Sequence, residues 1–455
     1  MTYGKTRKIK MRLRMRPMVV VLLGFLAVML GGAFFLSLPI SNTNEKWLGF
    51  TDSVFWAMNG VCGTGLVITS PALSFTGFGQ AVLLLLIQFG GLGFMTIATI
   101  VFLMIRKRIT LKDRIAIQEA LGQDRMKGVV RLVRNIAIMT AVIEVAGAAM
   151  LSPFFCVRNG AIGLWQALFT SVSAFCNAGF DILGTPENPF ASLIGYNGNA
   201  GIILITAVVA ILGALGFTVI DDIVKCKFRA KRFRFHTKMV LVVTPILMGF
   251  GTIFFFASEF TSPAFSDLNF GEKILNSIFQ AVSASSTAGY SSVDQTSLSS
   301  AGKVFSCVLM FIGASPCSTG GGIKTTTFAI LVLMGVSGLR GKEEIVIAKR
   351  SVSLKTGLRA VAVLLLATAL VLSGAMIISV SDGYLPTGYI FFDTISAFTT
   401  AGLSMGISPN LSDLGLYVLA VVMFIGRLGP LSIGMIFGKK DRTSLKYPNT
   451  NIMIG

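Results

Sequence analysis

One pattern constrains this chain more than any other. Four times, at nearly the same interval, a run of residues ends in a small-residue-plus-glycine step. The segments are Asn59-Gly60-Val61-Cys62-Gly63-Thr64-Gly65-Leu66, Ser173-Ala174-Phe175-Cys176-Asn177-Ala178-Gly179-Phe180, Ser283-Ala284-Ser285-Ser286-Thr287-Ala288-Gly289-Tyr290 and Ser396-Ala397-Phe398-Thr399-Thr400-Ala401-Gly402-Leu403. Their last glycines stand 114, 110 and 113 residues apart. Recurrence at a fixed period is the mark of one structural unit used repeatedly, each copy packed on its neighbours. Four such units around one axis would bring four glycine-bearing loops to one level.

Composition places that axis in a membrane. Hydrophobic residues make up 53% of the chain and charged ones 13%, against about 25% charged in an ordinary soluble domain. Apolar stretches near the length of a spanning helix recur throughout. A net charge of +19 by itself suits nucleic acid or an anionic surface. Its distribution gives a better explanation and leaves no part for nucleic acid. Seven, nine, seven, six and four Lys and Arg fall in 1–16, 106–134, 225–238, 340–359 and 439–446, which is 33 of 39. Such blocks mark cytoplasmic segments. The loops between them are rich in acids, among them Asp52, Asp181, Glu259, Asp382, Asp393 and Asp413. An anionic outer face would concentrate cations.

Five basic blocks alternating with four outer regions require two crossings per unit. The predicted pairs of spans are 18–40 and 76–105, 135–155 and 201–224, 239–257 and 303–337, and 359–380 and 413–438. Between the members of each pair lies an apolar segment too short to cross, such as 53–58 or 164–169, which reads as a helix that enters and turns back. The expected fold is an all-α polytopic membrane protein, with eight transmembrane helices and four re-entrant pore helices arranged pseudo-four-fold around one ion pore. Its units fall at 17–108, 130–226, 237–340 and 355–440, with a basic cytosolic tail at 1–16 and a cytosolic C-terminal tail at 441–455. No A-x-A cleavage pattern follows the first apolar run, so that run reads as a retained helix rather than a signal peptide.

Six cysteines (62, 156, 176, 226, 307, 317) lie singly with no C-x-x-C spacing, and His236 is the only histidine. Structural zinc and Cys/His catalysis are therefore not expected, nor is an enzyme or a covalent cofactor.

The second spans share a further mark. Gly90 and Gly93, Gly213 and Gly216, Gly313 and Pro316, and Gly426 and Gly429 align in one register, with Pro316 in the place of the last glycine in unit three. Such pairs serve either helix packing through small residues or a pore-lining helix that must bend. Unit three departs further, because Ser315-Pro316-Cys317-Ser318-Thr319-Gly320-Gly321-Gly322-Ile323-Lys324-Thr325 interrupts an apolar span. Proline removes a helical hydrogen bond and three successive glycines disfavour helix, so this span must break. It is not a phosphate-cradling loop: Ile323 separates Gly322 from Lys324, and no strand precedes it. Irregular backbone at membrane depth is tolerated only around a cavity.

Four units of span, pore loop and span, one filter glycine in each, and an interrupted second span in unit three resemble the Trk/Ktr/HKT superfamily of potassium-uptake proteins. With four units and no extra leading spans, the chain is most similar to the Ktr-type membrane subunit, and the likeness covers nearly all of it. The resemblance implies potassium selectivity, a homodimer in the plasma membrane with both termini cytoplasmic, and a cytosolic ring of nucleotide-binding regulatory subunits of the RCK/KTN type.

Residue by residue, Gly65, Gly179, Gly289 and Gly402 are expected to form one layer of a selectivity filter, since glycine permits inward-turned carbonyls and leaves the lumen clear. Carbonyls of Cys62, Gly63 and Thr64, of Cys176, Asn177 and Ala178, of Ser286, Thr287 and Ala288, and of Thr399, Thr400 and Ala401 would line adjacent layers. Potassium is the expected ion, with sodium a second candidate because no loop keeps the double-glycine signature of tetrameric potassium channels intact. The gate is expected at Ser315, Pro316, Cys317, Ser318, Thr319, Gly320, Gly321 and Gly322, with Lys324 and Arg427. Arg427 stands where the other units have Gly91, Ala214 and Ala314. It either holds carbonyls of the broken helix or snorkels to the interface. Glu144 reads either as an ion or proton ligand or as a buried partner of a helix end or hydroxyl. Asp52 is expected to cap its short helix, Asp393 to add field at the pore, and Asp221 and Asp222 to sit in cytosolic solvent. The rival is an alternating-access symporter coupled to sodium or protons, which inverted repeats would mark.

Overall fold

A computed structural model describes residues 17–93, 96, 99, 128–341, 345–347 and 350–429. The tails 1–16 and 441–455, most of the basic block 106–134, and the ends of the predicted spans 76–105 and 413–438 lie outside the described residues. Single turns aside, the helices are α1 (Pro17–Ser37), α2 (Phe50–Cys62), α3 (Gly77–Leu92), α4 (Val129–Asn159), α5 (Ile162–Phe175), α6 (Ala200–Ala214), α7 (Phe217–Lys225), α8 (Phe235–Glu259), α9 (Phe270–Ser286), α10 (Ser300–Ile312), α11 (Thr325–Leu339), α12 (Leu354–Ser381), α13 (Thr387–Thr399) and α14 (Asp413–Leu428). A three-residue antiparallel hairpin, β1 (Ile345–Ile347) with β2 (Arg350–Val352), joins units three and four.

The long first helices are apolar on their outward faces. Val145 and Val157 on α4, Ile253 on α8 and Leu365 on α12 are all well exposed, an arrangement suited to an apolar solvent. Within the described residues Val130–Asn159, Phe235–Glu259 and Leu354–Ser381 are long and apolar enough to cross a bilayer. The buried side chains pack around the short helices instead. Trp56 on α2 meets the Phe75 ring edge-on at 5.0 Å and lies 6.0 Å from Phe180 beyond the second loop.

The second helices begin alike. Thr76, Asn199, Ser299 and Ser412 each cap one, accepting from the N–H groups of Gly79, Ile202, Gly302 and Gly415. A hydroxyl or amide at this position satisfies an orphan donor of the first turn. In units three and four the cap is held by the acid that closes the first helix. Glu259 accepts the Ser299 N–H at 2.9 Å and its hydroxyl at 2.5 Å, and Asp382 accepts the Ser412 N–H at 2.8 Å and its hydroxyl at 3.0 Å. Both acids are fully buried, so they serve these caps and are withdrawn from the anionic outer face that the sequence suggests.

The second helices also end alike, and here the structure corrects the sequence reading. The sequence marks unit three as the span that must break and leaves the other three between packing and bending. Helix α6 instead gives way to α7 through a 92° bend. Helices α3 and α14 stop at Gly93 and Gly429, with φ/ψ of 79°/140° and 83°/130°, and Gly216 at the α6–α7 bend has 93°/135°. The unit-three residue with this backbone is Lys324, at 84°/136°. Lys324, not Pro316, is therefore the structural counterpart of the last glycine, and the eight residues that unit three adds lie between Gly313 and Lys324.

Candidate functional site

Each short helix, α2, α5, α9 and α13, ends in one of the four recurrent loops. The residue two before each glycine is left-handed: Gly63, Asn177, Thr287 and Thr400 have φ of 61°, 51°, 55° and 48°. The glycines follow at 90°, 67°, 79° and 83°. Backbone that alternates in handedness turns successive carbonyls to one side, whereas a strand turns them to opposite sides. Left-handed backbone at a β-branched residue costs on the order of 1–3 kcal/mol and persists only where its surroundings impose it. Here one bond does so in every unit: the N–H groups of Thr64, Ala178, Ala288 and Ala401 donate to the carbonyls of Asn59, Ser173, Ser283 and Ser396 at 2.9–3.1 Å.

The loops close into a ring. A Cβ built on Gly65 would overlap the Ala178 carbonyl, and one on Gly179 would lie 2.7 Å from Gly289 Cα. On Gly289 it would lie 2.5 Å from Ala401 O, and on Gly402 3.2 Å from the Thr64 carbonyl carbon. Loop one thus abuts loop two, two abuts three, three abuts four, and four abuts one. All sixteen loop residues singled out in the sequence are brought together. The helix C-termini behind them add partial negative charge, which favours a cation.

In units one, two and four the first glycine of the second-helix pair packs rather than bends. A Cβ on Gly90, Gly213 or Gly426 would overlap the carbonyl of Val61, Phe175 or Phe398, in the last turn of the neighbouring short helix. In these three units bending falls to the second glycine, so the two readings of the pair divide between its members; in unit three Gly313 itself ends the helix.

The insertion of unit three lies against this ring. The Gly321 N–H donates to Thr287 Oγ1 at 3.0 Å, and the Thr319 hydroxyl, with Phe175 O at 2.9 Å and Asn177 Oδ1 at 2.5 Å, has its one proton between two acceptors of loop two. A Cβ on Gly320 would lie 2.7 Å from Ser286 O and one on Gly321 2.7 Å from the Thr399 carbonyl carbon, so the glycines permit this close approach to loops three and four. Lys324 Nζ donates to Gly320 O at 2.6 Å and Gly321 O at 3.3 Å. Arg427 donates to the carbonyls of Thr319 and Gly90, which favours the carbonyl-holding role over snorkelling. Pro316 and Cys317 lie apart from the ring, against the α6–α7 bend: the Phe217 N–H donates to Cys317 O at 2.8 Å, and a Cβ on Gly216 would lie 2.5 Å from Pro316 O. The Ser318 hydroxyl is spent on Ser315 O at 2.6 Å.

Other charged positions fall differently from expectation. Asp52 makes no capping bond; Gly49 is the N-cap of α2 and Asp52 sits within the first turn. Asp222 is buried rather than solvated, accepting the Arg234 N–H at 2.9 Å and the Thr237 hydroxyl at 2.7 Å, and so ties α7 to the start of α8. Asp221 accepts from Asn135 Nδ2 at 3.0 Å and pairs with Lys225. Glu144 is buried behind loop two, accepting from Gln88 Nε2 at 3.2 Å with Cys176 Sγ 3.9 Å away. Asp393 is fully buried and bonds Ser404 and Met405. Sequence reasoning passed over Asn59, Ser173 and Ser283, whose side chains donate to the carbonyls of Leu66, Phe180 and Tyr290 just beyond the glycines. The available signal was a polar residue six before every glycine.

Residues 6–445 match the family described as TrkH, cation transport protein. The chain is similar to the Ktr system potassium uptake protein B of Bacillus subtilis, 38% identical over 457 residues with all of both chains covered. It is also similar to the potassium/sodium uptake protein NtpJ of Enterococcus hirae, 35% identical over 98% of this chain and 99% of that protein. In fold it matches the potassium transporter TrkH from Vibrio parahaemolyticus with a TM-score of 0.73 over 95% of this chain and 87% of that one, at 17% identity.

Proposed function

The chain belongs to the TrkH family of cation transport proteins, and on that premise we propose that it is the membrane subunit of a potassium uptake system. The observation that carries this reading is the closed ring of four glycine-bearing loops. A ring of backbone carbonyls at the C-terminal ends of four helices replaces the water shell of a bare cation without placing a side chain in the lumen. Cys62 to Gly65, Cys176 to Gly179, Ser286 to Gly289 and Thr399 to Gly402 form the filter, with potassium the transported ion and sodium a weaker substrate.

In this reading the units at 17–108, 130–226, 237–340 and 355–440 each comprise span, re-entrant helix and span, with the basic segments and both termini in the cytoplasm. The inserted loop of unit three closes the path below the ring, and Arg427 and Lys324 hold it there. The name of the Bacillus relative, a B protein of a system, fits a subunit that works with a cytosolic regulatory ring, and the resemblance adds a homodimer. An alternating-access symporter is disfavoured because all four units present the same cap, loop and break in the same order around the ring.

Expression of the chain should restore growth at low external potassium to bacteria that lack their own potassium uptake. Gly65→Ser, at equal membrane abundance, should rescue less well when sodium is in excess. Equal rescue by both proteins contradicts the proposal.

A further inference from the structure

Three quarters of the ring are braced in one way, and the fourth is not. In units one to three the residue six before the glycine donates to the carbonyl just after it: Asn59 to Leu66, Ser173 to Phe180 at 2.9 Å and Ser283 to Tyr290 at 2.6 Å. The unit-four counterpart, Ser396, is fully buried, and its hydroxyl has no hydrogen-bond partner among the described residues. Among the described residues a substitute stands one turn earlier on the same helix. Asp393 accepts the Met405 N–H at 2.7 Å with one oxygen and the Ser404 hydroxyl at 2.7 Å with the other. Ser404 Oγ in turn accepts the Gly406 N–H at 2.8 Å. One carboxyl group therefore fastens the stretch that follows Gly402.

Unit three shows the same register in neutral form. Gln280 stands nine residues before Gly289, as Asp393 stands nine before Gly402. It forms a reciprocal amide pair with Gln295, at 2.8 and 3.1 Å, beyond the loop. Unit three therefore keeps both braces, the Ser283 hydroxyl and the Gln280 amide. Unit four has lost the first and keeps the second in the form of a carboxyl group.

We infer that Asp393 is the positioning residue for the fourth quarter of the selectivity filter, performing from one turn deeper the task that Asn59, Ser173 and Ser283 perform in the other units. The inference rests on the reading of the four loops as the filter. It assigns Asp393 to the backbone after Gly402 and not to the permeating ion.

The test is the potassium-over-sodium flux ratio of full-length protein in liposomes, with thermal stability measured alongside. Asp393→Ala should lower the ratio about tenfold, the scale of the buried hydrogen bonds lost. Asp393→Asn keeps an acceptor for Met405 and an amide for Ser404, and should stay near the parent. Ser396→Ala should leave the ratio unchanged, whereas Ser173→Ala and Ser283→Ala should lower it. Ser396→Asn, which copies the Asn59 brace, should restore the ratio in the Asp393→Ala background; a merely stabilising carboxylate would not be rescued in this readout. A parental ratio in inserted Asp393→Ala, or a fall in Ser396→Ala equal to that in Ser173→Ala, overturns the inference. If Asp393→Ala does not insert, Ser404→Ala takes its place with the same expectations. Gly402→Ser separates the two levels: a parental ratio there sinks the filter reading itself, while a fall there without one in Asp393→Ala sinks only the role of Asp393.

Discussion

Arg427 donates one guanidinium nitrogen to the carbonyl of Thr319 in the inserted loop and the other to the carbonyl of Gly90 at the end of α3. One side chain on unit four therefore fastens the unit-three insertion to unit one. Arg presents several donors in a fixed fork, a geometry that a single ammonium lacks.

Arg427→Ala should consequently raise basal cation flux. Each charge-assisted bond contributes about 1.5–3 kcal/mol, so a rise of about tenfold or more is expected if closure depends on them. Deleting Cys317 to Gly322 should act in the same direction. Flux through inserted protein without any cytosolic partner is the measurement; a deletion variant that conducts less than the parent would favour a structural role for the loop.

Lys324 combines a glycine backbone with a cationic side chain, and two substitutions separate them. Lys324→Gly relieves a strain on the order of 1–3 kcal/mol while releasing the Gly320 and Gly321 carbonyls. Basal flux should rise with stability held or improved. Lys324→Ala keeps the strain and loses the bonds, and should melt lower than Lys324→Gly in detergent. The opposite order of melting temperatures would show that the backbone at this position is not strained.

Much of this arrangement was legible in the sequence, because both the four loops and the unit-three insertion depend on glycine and proline, whose backbone consequences are local. The breaks at Gly93, Gly216 and Gly429 were less legible. A glycine that packs and a glycine that bends look alike until the facing carbonyl is known. Pro316 was assigned to the glycine register because insertion lengths are invisible to spacing alone; only the 84°/136° backbone of Lys324 reveals the true counterpart. Asp222 defeated the charge pattern for another reason: its burial depends on Arg234 and Thr237, which a turn brings back from the next helix.

Asp382 predicts a pH dependence at the outer end of unit four. Burial raises its pKa, but the Ser381 hydroxyl, the Ser412 N–H and hydroxyl, and Tyr384 together draw it below the ordinary 3.8. A carboxylate with a depressed folded-state pKa contributes stability that is present above the unfolded value and lost as pH falls through the folded one. Asp382→Ala should lower thermal stability at neutral pH by about 2 kcal/mol, the scale of bonds to a buried charge. The gap between parent and variant should shrink as the pH is taken below about 4. A gap that stays constant over this range would assign the loss to packing.

The ring itself is tested by adding to it. Gly289→Ala places a methyl 2.5 Å from the Ala401 carbonyl oxygen, and Gly65→Ser drives its side chain into the backbone carbonyl of Ala178. Each should reduce discrimination between potassium and sodium while the protein still inserts. Normal insertion with an unchanged ratio in both variants would remove these loops from the ion path.

The most direct test of the filter is cation flux into proteoliposomes holding the purified chain, with potassium, rubidium, sodium or lithium as the only cation and no proton gradient. Potassium and rubidium should carry the fastest flux, sodium a slower one and lithium the slowest, since the carbonyl ring replaces the hydration shell of the larger ions best. Equal flux for all four cations, or potassium flux that appears only with a sodium or proton gradient, would contradict the account.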